Sequence, residues 1–289
     1  DHGKTLAEAR AIDGKMLQNV LEGWVRDASG EVRQLGRKGP GGEWEHRAGW
    51  DFTVAAPKSV SIVSEVFGRD DVRQAHEHAA NAAMRFLETH GAQTRISGEH
   101  VATNNLLYAH FSHSNSRELD PQTHTHFLIA NATFDEKSGR WYSLSNEKLF
   151  DLRATADAVY KNELAHALQG MGYRLDMDGA GGFEIAGFTP DQLAEFSERS
   201  AQIDEWLQQH GIDPETASYQ ARLTACLDTR QGKEAAEGAE AQREQWQQRA
   251  GKVGIVEPQR DSALAREARA ESTAKAASAA VAKALAHIT

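Results

Sequence analysis

Between His113 and His126 the chain reads HSNSRELDPQTHTH, with three histidines spaced as a metal site needs them: His113, a polar turn, then His124 and His126 two apart. Side chains at i and i+2 of a strand project to one face, so His124 and His126 can address the same ion. The preceding stretch 101–113 (VATNNLLYAHFSH) also reads as a strand. The turn-rich 114–122 folds it back antiparallel and brings His113 beside the other two. Three neutral imidazoles with open positions left over suit a divalent cation that must still accept a substrate. A His-x-His on a strand is as often a surface or structural pair, so the pattern needs support from elsewhere in the chain. His110 lies three residues before His113 and faces the other way on the strand.

Asp51 offers that support. It begins a strand running into Pro57, and a carboxylate that accepts a hydrogen bond from a ligand imidazole fixes its tautomer and strengthens the metal bond. Read without the histidines, Asp51 would be a strand-end residue capping a turn.

The elements that must position these residues follow from periodicity. Residues 5–22 predict two short helices broken near Asp13-Gly14, and the Gly-rich, charged 27–49 reads as a loop. Residues 50–63 (WDFTVAAPKSVSIV) predict a strand that Pro57 ends, opening a helix. Helix continues over 71–90, with Val72, Ala75, Ala79, Ala82, Ala83, Phe86 and Leu87 as the buried stripe. An edge strand at 94–97 precedes the histidine hairpin; its exit 127–134 can pair with 141–144. Helix follows over 147–170, then a hairpin from 173–177 and 182–185, a helix from Pro190 to about Gln209, and further helix from Leu223. The expected fold class is α+β: a mainly antiparallel sheet of about five strands, covered by helices, with the histidines on its middle strands.

Composition bounds the rest. The 289 residues carry a formal net charge of −10, which argues against an indiscriminate nucleic-acid coater but not against local recognition. Arg33, Arg37, Lys38, His46, Arg47 and Lys58 cluster before and within the first long strand. One cysteine, Cys226, excludes an internal disulfide framework and fits a reducing cytosol. No apolar run approaches a membrane span and no signal peptide is visible. The chain starts at Asp1 rather than Met, so a processed or incomplete piece is expected.

WDFTVAAPKSVS followed by HSNSRELDPQTHTH resembles the relaxase domain of TraI/TrwC-type (MobF) conjugative relaxases, members of the His-hydrophobe-His class of nicking endonucleases. The middle residue here is Thr125. The family's D-L-T-F-S-A-P-K-S-V-S appears as Asp51 to Ser61, with Phe52, Val54 and Ala55 as substitutions that keep its character, and its H-(ten residues)-H-x-H is met by His113, His124 and His126. Leu227–Arg230 (LDTR) followed by Trp246 is a further family-like run, so the resemblance spans roughly Thr5 to Pro258. It implies a relaxase domain over 1–260 whose helical C-terminal region closes over DNA like fingers. The Ala-rich 261–289 is expected to be a helical linker or tail toward a possible downstream helicase domain.

The resemblance also implies a mechanism and a site. His113, His124 and His126 become ligands of a divalent ion, Mg2+ or Mn2+, with Zn2+ or Ni2+ as alternatives. Asp51 joins the catalytic set by orienting one of them. A tyrosine attacks the scissile phosphate of single-stranded or hairpin DNA at a plasmid transfer origin, leaving a 5′-phosphotyrosyl link. The family's tyrosines lie in a short segment upstream of the part matching Asp1 onward, so no catalytic residue is assigned among Tyr108, Tyr142, Tyr160, Tyr173 and Tyr219. The chain is expected to bind metal and DNA without cleaving. Lys58 and Arg117 are candidates for backbone phosphates, with Arg47, His46 and Arg95 behind them, and Trp44 and Trp50 could stack on bases. Relaxosome accessory proteins, a type IV secretion coupling protein and a bacterial cytoplasmic location are implied likewise. Competing readings are a rolling-circle replication initiator of the same superfamily, an inactive DNA-binding module, and a zinc hydrolase unrelated to DNA.

Overall fold

The computed structural model describes residues 13–179, 181–230 and 238–271. The helix expected at 5–12 and the tail beyond 271 lie outside the described residues. In chain order the elements begin α1 (Gly14–Leu21), β1 (Trp24–Arg26), β2 (Val32–Gln34), β3 (Arg37–Lys38), β4 (Trp44–Glu45), β5 (Gly49–Ala55) and α2 (Lys58–Ser61). A π-helical turn, Ile62–Val66, leads to α3 (Asp70–Gly91), β6 (Gln93–Ile96), β7 (Glu99–Ala102), β8 (Tyr108–Asn115) and β9 (Pro121–Ala130). Then come β10 (Thr133–Asp135), β11 (Arg140–Tyr142), α4 (Glu147–Asp151), α5 (Arg153–Gly170), β12 (Leu175–Met177) and β13 (Phe183–Ile185). The chain continues with α6 (Pro190–Glu195), α7 (Glu198–Gln209), α8 (Tyr219–Asp228) and α9 (Ala239–Lys252), and residues 262–271 are again helical.

The architecture is α+β with antiparallel strands. The sheet that carries the histidines has the order β5-β9-β8, three strands among the described residues where about five were expected. The remaining strands close in pairs, β1 with β2, β3 with β4, β6 with β7, β10 with β11, and β12 with β13. Each of those strands is only two to four residues long. Segment 27–49, read as a loop, therefore contains β2, β3 and β4. Its glycines do mark turns: Gly36 has φ +130, a conformation open to a residue without Cβ.

Two compact units divide the chain: residues 1–54, 77–112 and 125–164, and residues 55–76, 113–124 and 165–289. The first has a small cluster of Val25, Leu35 and Ala132 with Trp141 against it. The second is centred on Ile62, Val66, Phe196, Trp246, Ala250 and Ile255. Helix α3 buries Val72, Ala75, Ala79, Ala83 and Leu87 as its spacing predicts, leaves the expected Ala82 and Phe86 half-buried, and adds His76, Ala80 and Met84 to the buried stripe.

The helix expected from Pro190 to Gln209 is two helices. Thr189 caps α6 with Gln192 in a reciprocal box. The break falls at Phe196, which is fully buried, and α7 then restarts with Asp120 Oδ2 accepting the Glu198 N–H at 2.9 Å. That carboxylate satisfies one of the donors a helix start leaves open.

Candidate functional site

Strand β9 shows the alternation a one-sided strand requires. Thr123, Thr125, Phe127 and Ile129 are buried, while Gln122, His124, His126 and Leu128 are half-exposed. Its partners run antiparallel to it. On one side Ala56 N–H donates to Thr123 O and Asn131 N–H to Ala48 O; on the other, Ser116 N–H donates to Asp120 O and Ala130 N–H to Leu107 O. This register sets Ser112 opposite Thr125, with their hydroxyl oxygens 3.2 Å apart, and His113 opposite His124. The His113 and His124 rings stack with centroids 5.1 Å apart and planes 21° apart. His110 lies on the other face, stacked on Phe127 at 6.1 Å.

The turn joining β8 to β9 is held from outside. Leu119 sits at φ +59, an unfavourable region for a branched side chain. Its carbonyl accepts from Trp246 Nε1 at 2.7 Å and Gln242 Nε2 at 3.3 Å, two bonds that compensate the local strain.

Asp51 and Thr53, two apart on β5, face His126. Asp51 Oδ2 lies 2.8 Å and Oδ1 3.1 Å from His126 Nδ1, and Thr53 Oγ1 lies 2.8 Å from the same nitrogen. A carboxylate only accepts, so Nδ1 carries the proton and donates; the Thr53 hydroxyl donates in turn to Asp51 Oδ1 at 3.3 Å. His124 is held the same way by its own strand, its Nδ1 donating to Gln122 O at 2.8 Å. Both rings are thereby fixed as the tautomer whose Nε2 keeps the lone pair. Metal-ligating imidazoles are held so, and this donor chemistry fits a divalent cation.

Among the described residues no group of three or more His, Cys, Asp or Glu is arranged to hold a metal ion. The predicted residues form two pairs, His113 with His124 and His126 with Asp51. An imidazole binds metal in its ring plane, so two stacked rings address an ion beyond their shared edge rather than one between them.

The expected DNA contacts fare unequally. Lys58 turns its ammonium inward to Pro121 O at 3.0 Å, and burial lowers its pKa. His46 packs where a Cβ on Gly23 would collide with its ring; both its nitrogens are buried without a hydrogen-bond partner, and burial lowers its pKa. Neither is presented to a phosphate as placed. Arg47 is exposed, its guanidinium 5.9 Å over the Trp50 ring. Arg95 is exposed and 3.5 Å from Glu147, and Arg117 is half-buried in the β8–β9 turn. Trp44 is exposed but donates its indole N–H to Leu35 O; the Trp50 indole nitrogen is buried.

Tyr160 and Tyr173 are fully buried, and burial raises the pKa of Tyr108 and Tyr160. These are core phenols, poorly suited to attack. Thr53 was missed by sequence reasoning, though its position two after Asp51 was a usable signal.

A family profile described as TrwC relaxase matches residues 2–253. The multifunctional conjugation protein TraI of Escherichia coli is 32% identical over 268 residues, which is 88% of this chain and 14% of that protein. The chain thus spans about one-seventh of that relative's length. The structure of TrwC complexed with a 27-mer DNA comprising the recognition hairpin and the cleavage site is 34% identical, covers 88% of this chain and 89% of that one, and superposes with a TM-score of 0.77. A copper-bound structure of the conjugative relaxase TrwC in complex with oriT DNA matches at 34% identity, 86% and 84% coverage, and a TM-score of 0.77. Fold, motif spacing and these likenesses have one explanation: the chain belongs to the TrwC relaxase family.

Proposed function

We propose that this domain nicks and rejoins one strand of DNA at a plasmid transfer origin, in a metal-dependent, site-specific transesterification. The observation that carries this reading is the fixing of His124 and His126, on one face of β9, as Nδ1–H tautomers by Gln122 O and Asp51. A histidine pair serving only packing has no need for both rings to keep the same nitrogen as acceptor. His113, opposite His124, supplies the third imidazole in this reading.

The chain's own groups then have defined tasks. Asp51 holds the Nδ1 proton of His126 and orients its ring, with Thr53 steadying the carboxylate. When bound, a divalent ion, Mg2+ or Mn2+ for the proposed reaction, supplies positive charge to the non-bridging phosphate oxygens. Arg117, Arg47 and Arg95 are proposed to contact backbone phosphates, which position a strand without reading it. Trp50 and Phe150, which line a hollow with Asp51 and Arg153, offer stacking surface for a base.

The proposed attacking group is a tyrosine, as family membership suggests, and none of Tyr108, Tyr142, Tyr160, Tyr173 and Tyr219 is assigned that part. Its phenol gives up a proton as its oxygen bonds to phosphorus, the bond to the 3′ oxygen breaks, and that oxygen takes up a proton. The resulting 5′-phosphotyrosyl ester keeps the phosphodiester energy, so the strand can be rejoined by the reverse step without a nucleotide cofactor. A single-stranded or hairpin substrate, relaxosome accessory proteins, a coupling protein and a cytoplasmic location belong to the same proposal, supported by family membership. Among the described residues no helix is long and apolar enough to cross a membrane.

The test is calorimetric titration with Mn2+ of the wild-type chain and of His124→Ala, alongside binding of a labelled single-stranded oligonucleotide. We expect His124→Ala to lose metal binding and keep its circular dichroism. Metal affinity unchanged by that substitution would remove the assignment.

A further inference from the structure

Thr123 lies between Gln122, whose carbonyl holds the His124 ring, and His124 itself, and its side chain points to the buried face of β9. The backbone there is tied from below. Thr123 N–H donates to Ser61 Oγ at 3.1 Å, and its carbonyl accepts from Ala56 N–H at 2.9 Å. In a planar trans peptide C=O and N–H point in opposite directions. Anchoring Thr123 N–H on Ser61 therefore aims Gln122 C=O away from Ser61, where it meets His124 Nδ1.

The Thr123 hydroxyl is tied as well. It donates to Glu65 Oε1 at 2.9 Å, and Ser64 Oγ lies 2.6 Å away. Ser64 Oγ also lies 3.2 Å from Glu65 Oε1 and 3.2 Å from Ser61 O, so the two hydroxyls and the carboxylate form one hydrogen-bonded cluster. Glu65 is 3% exposed and its other oxygen is 3.2 Å from Arg73 Nη2. Ser64 and Glu65 are consecutive residues of the π-helical turn Ile62–Val66, whose wide Phe67 N–H to Ile62 O bond is a local insertion of the kind concentrated at functional sites.

A buried ion pair contributes little net stability compared with apolar side chains of similar volume. What it can contribute is register, and a one-residue slip of β9 would turn His124 into the core. We propose that Ser61 and Glu65, acting through Thr123, are positioning residues that set the peptide plane and strand register presenting His124 as an Nδ1–H tautomer. This rests on the ligand role given to His124 above.

The test uses Thr123→Val, Thr123→Ser and Ser61→Ala, read two ways: Mn2+ affinity by calorimetry, and the His124 ring nitrogen shifts by NMR of the metal-free chain. Thr123→Val should weaken Mn2+ binding about tenfold, at the low end expected for groups behind a ligand. Thr123→Ser, which restores the hydroxyl, should stay within about twofold of wild type on the same scale. Ser61→Ala should give a mixture of tautomers at His124. Wild-type Mn2+ affinity and a single Nδ1–H tautomer in folded Thr123→Val and Ser61→Ala would overturn the proposal. Should Thr123→Val not fold, Ser61→Ala decides on the same two readouts. If the wild-type chain itself takes up no Mn2+, the ligand reading fails, while the metal-free tautomer still decides this one.

Discussion

Replacing Asp51 by Asn separates the orienting role proposed for that carboxylate from any part in stability. The substitution keeps the shape and removes the charge. Asp51 meets His126 Nδ1 with both oxygens, at 2.8 and 3.1 Å, and takes a further bond from Thr53. An asparagine amide can turn its NH2 toward Nδ1, which favours the tautomer whose Nε2 carries the proton and has no lone pair for a cation. Loss of such an orienting partner lowers metal affinity about 10- to 100-fold, or about 1.4–2.7 kcal/mol. Stability should barely move. The His126 and Asp51 side chains are 36% and 54% exposed, and ion pairs in that setting contribute only about 0–1 kcal/mol. Mn2+ calorimetry and urea unfolding on the same preparations provide both numbers. A loss of about 2 kcal/mol or more in stability with metal affinity unchanged would show that Asp51 braces the sheet and does not serve the histidine, at odds with the tautomer reasoning.

Three further outcomes follow from the packing. Trp246→Phe removes the indole donor from Leu119 O, leaving a strained turn residue less supported; urea unfolding should show a loss of about 1–2 kcal/mol. Gly49→Ala places a Cβ against Ile129 O, backbone that cannot swing aside, so a loss of about 1–3 kcal/mol is expected in the same assay. His76 is 1% exposed and its pKa is lowered to about 4, by burial first and the nearby His124 second. The unfolded chain protonates this ring at about 6.5, so its contribution is complete above that pH and is lost as pH falls toward about 4. Between pH 7 and 5 wild type should lose about 2 kcal/mol more than His76→Leu, measured by urea unfolding at each pH.

Much of the site was legible because strand chemistry is local. The spacing of His124 and His126 gives a shared face at once, and the turn residues between His113 and His124 give the hairpin. Asp51 was singled out through its motif, and its Oδ2 lies 2.8 Å from His126 Nδ1. Less legible was whatever depends on a partner distant in sequence. Lys58 has the charge and position of a phosphate contact, but which way a long side chain turns is decided by Pro121, 63 residues on. His46 was assigned by its basic neighbourhood, yet packing against Gly23 settles its environment. The short ladders within 27–49 escaped detection because two- and three-residue strands have no periodicity to read.

Thr125, standing between the two histidines where the family motif has a hydrophobe, has a physical account in the cross-strand register. Thr125 is 1% exposed, a place where a hydroxyl without a partner would cost about 1–3 kcal/mol. Ser112 stands opposite it, within 3.2 Å, and satisfies it. Thr123, the preceding residue on that face, is satisfied by Ser64 and Glu65. The buried side of β9 under the histidines is thus hydrogen-bonded at two successive positions, where a hydrophobe would only pack. Dispersion contacts tolerate a small slide of one strand over its neighbour; a hydroxyl-to-carboxylate bond does not, since its strength falls steeply with distance and angle. Substituting Thr125 by Val, the hydrophobe the motif names, would leave Ser112 Oγ without that partner while restoring the common pattern. The threonines therefore restrict how far β9 can slide, and with it where His124 and His126 stand.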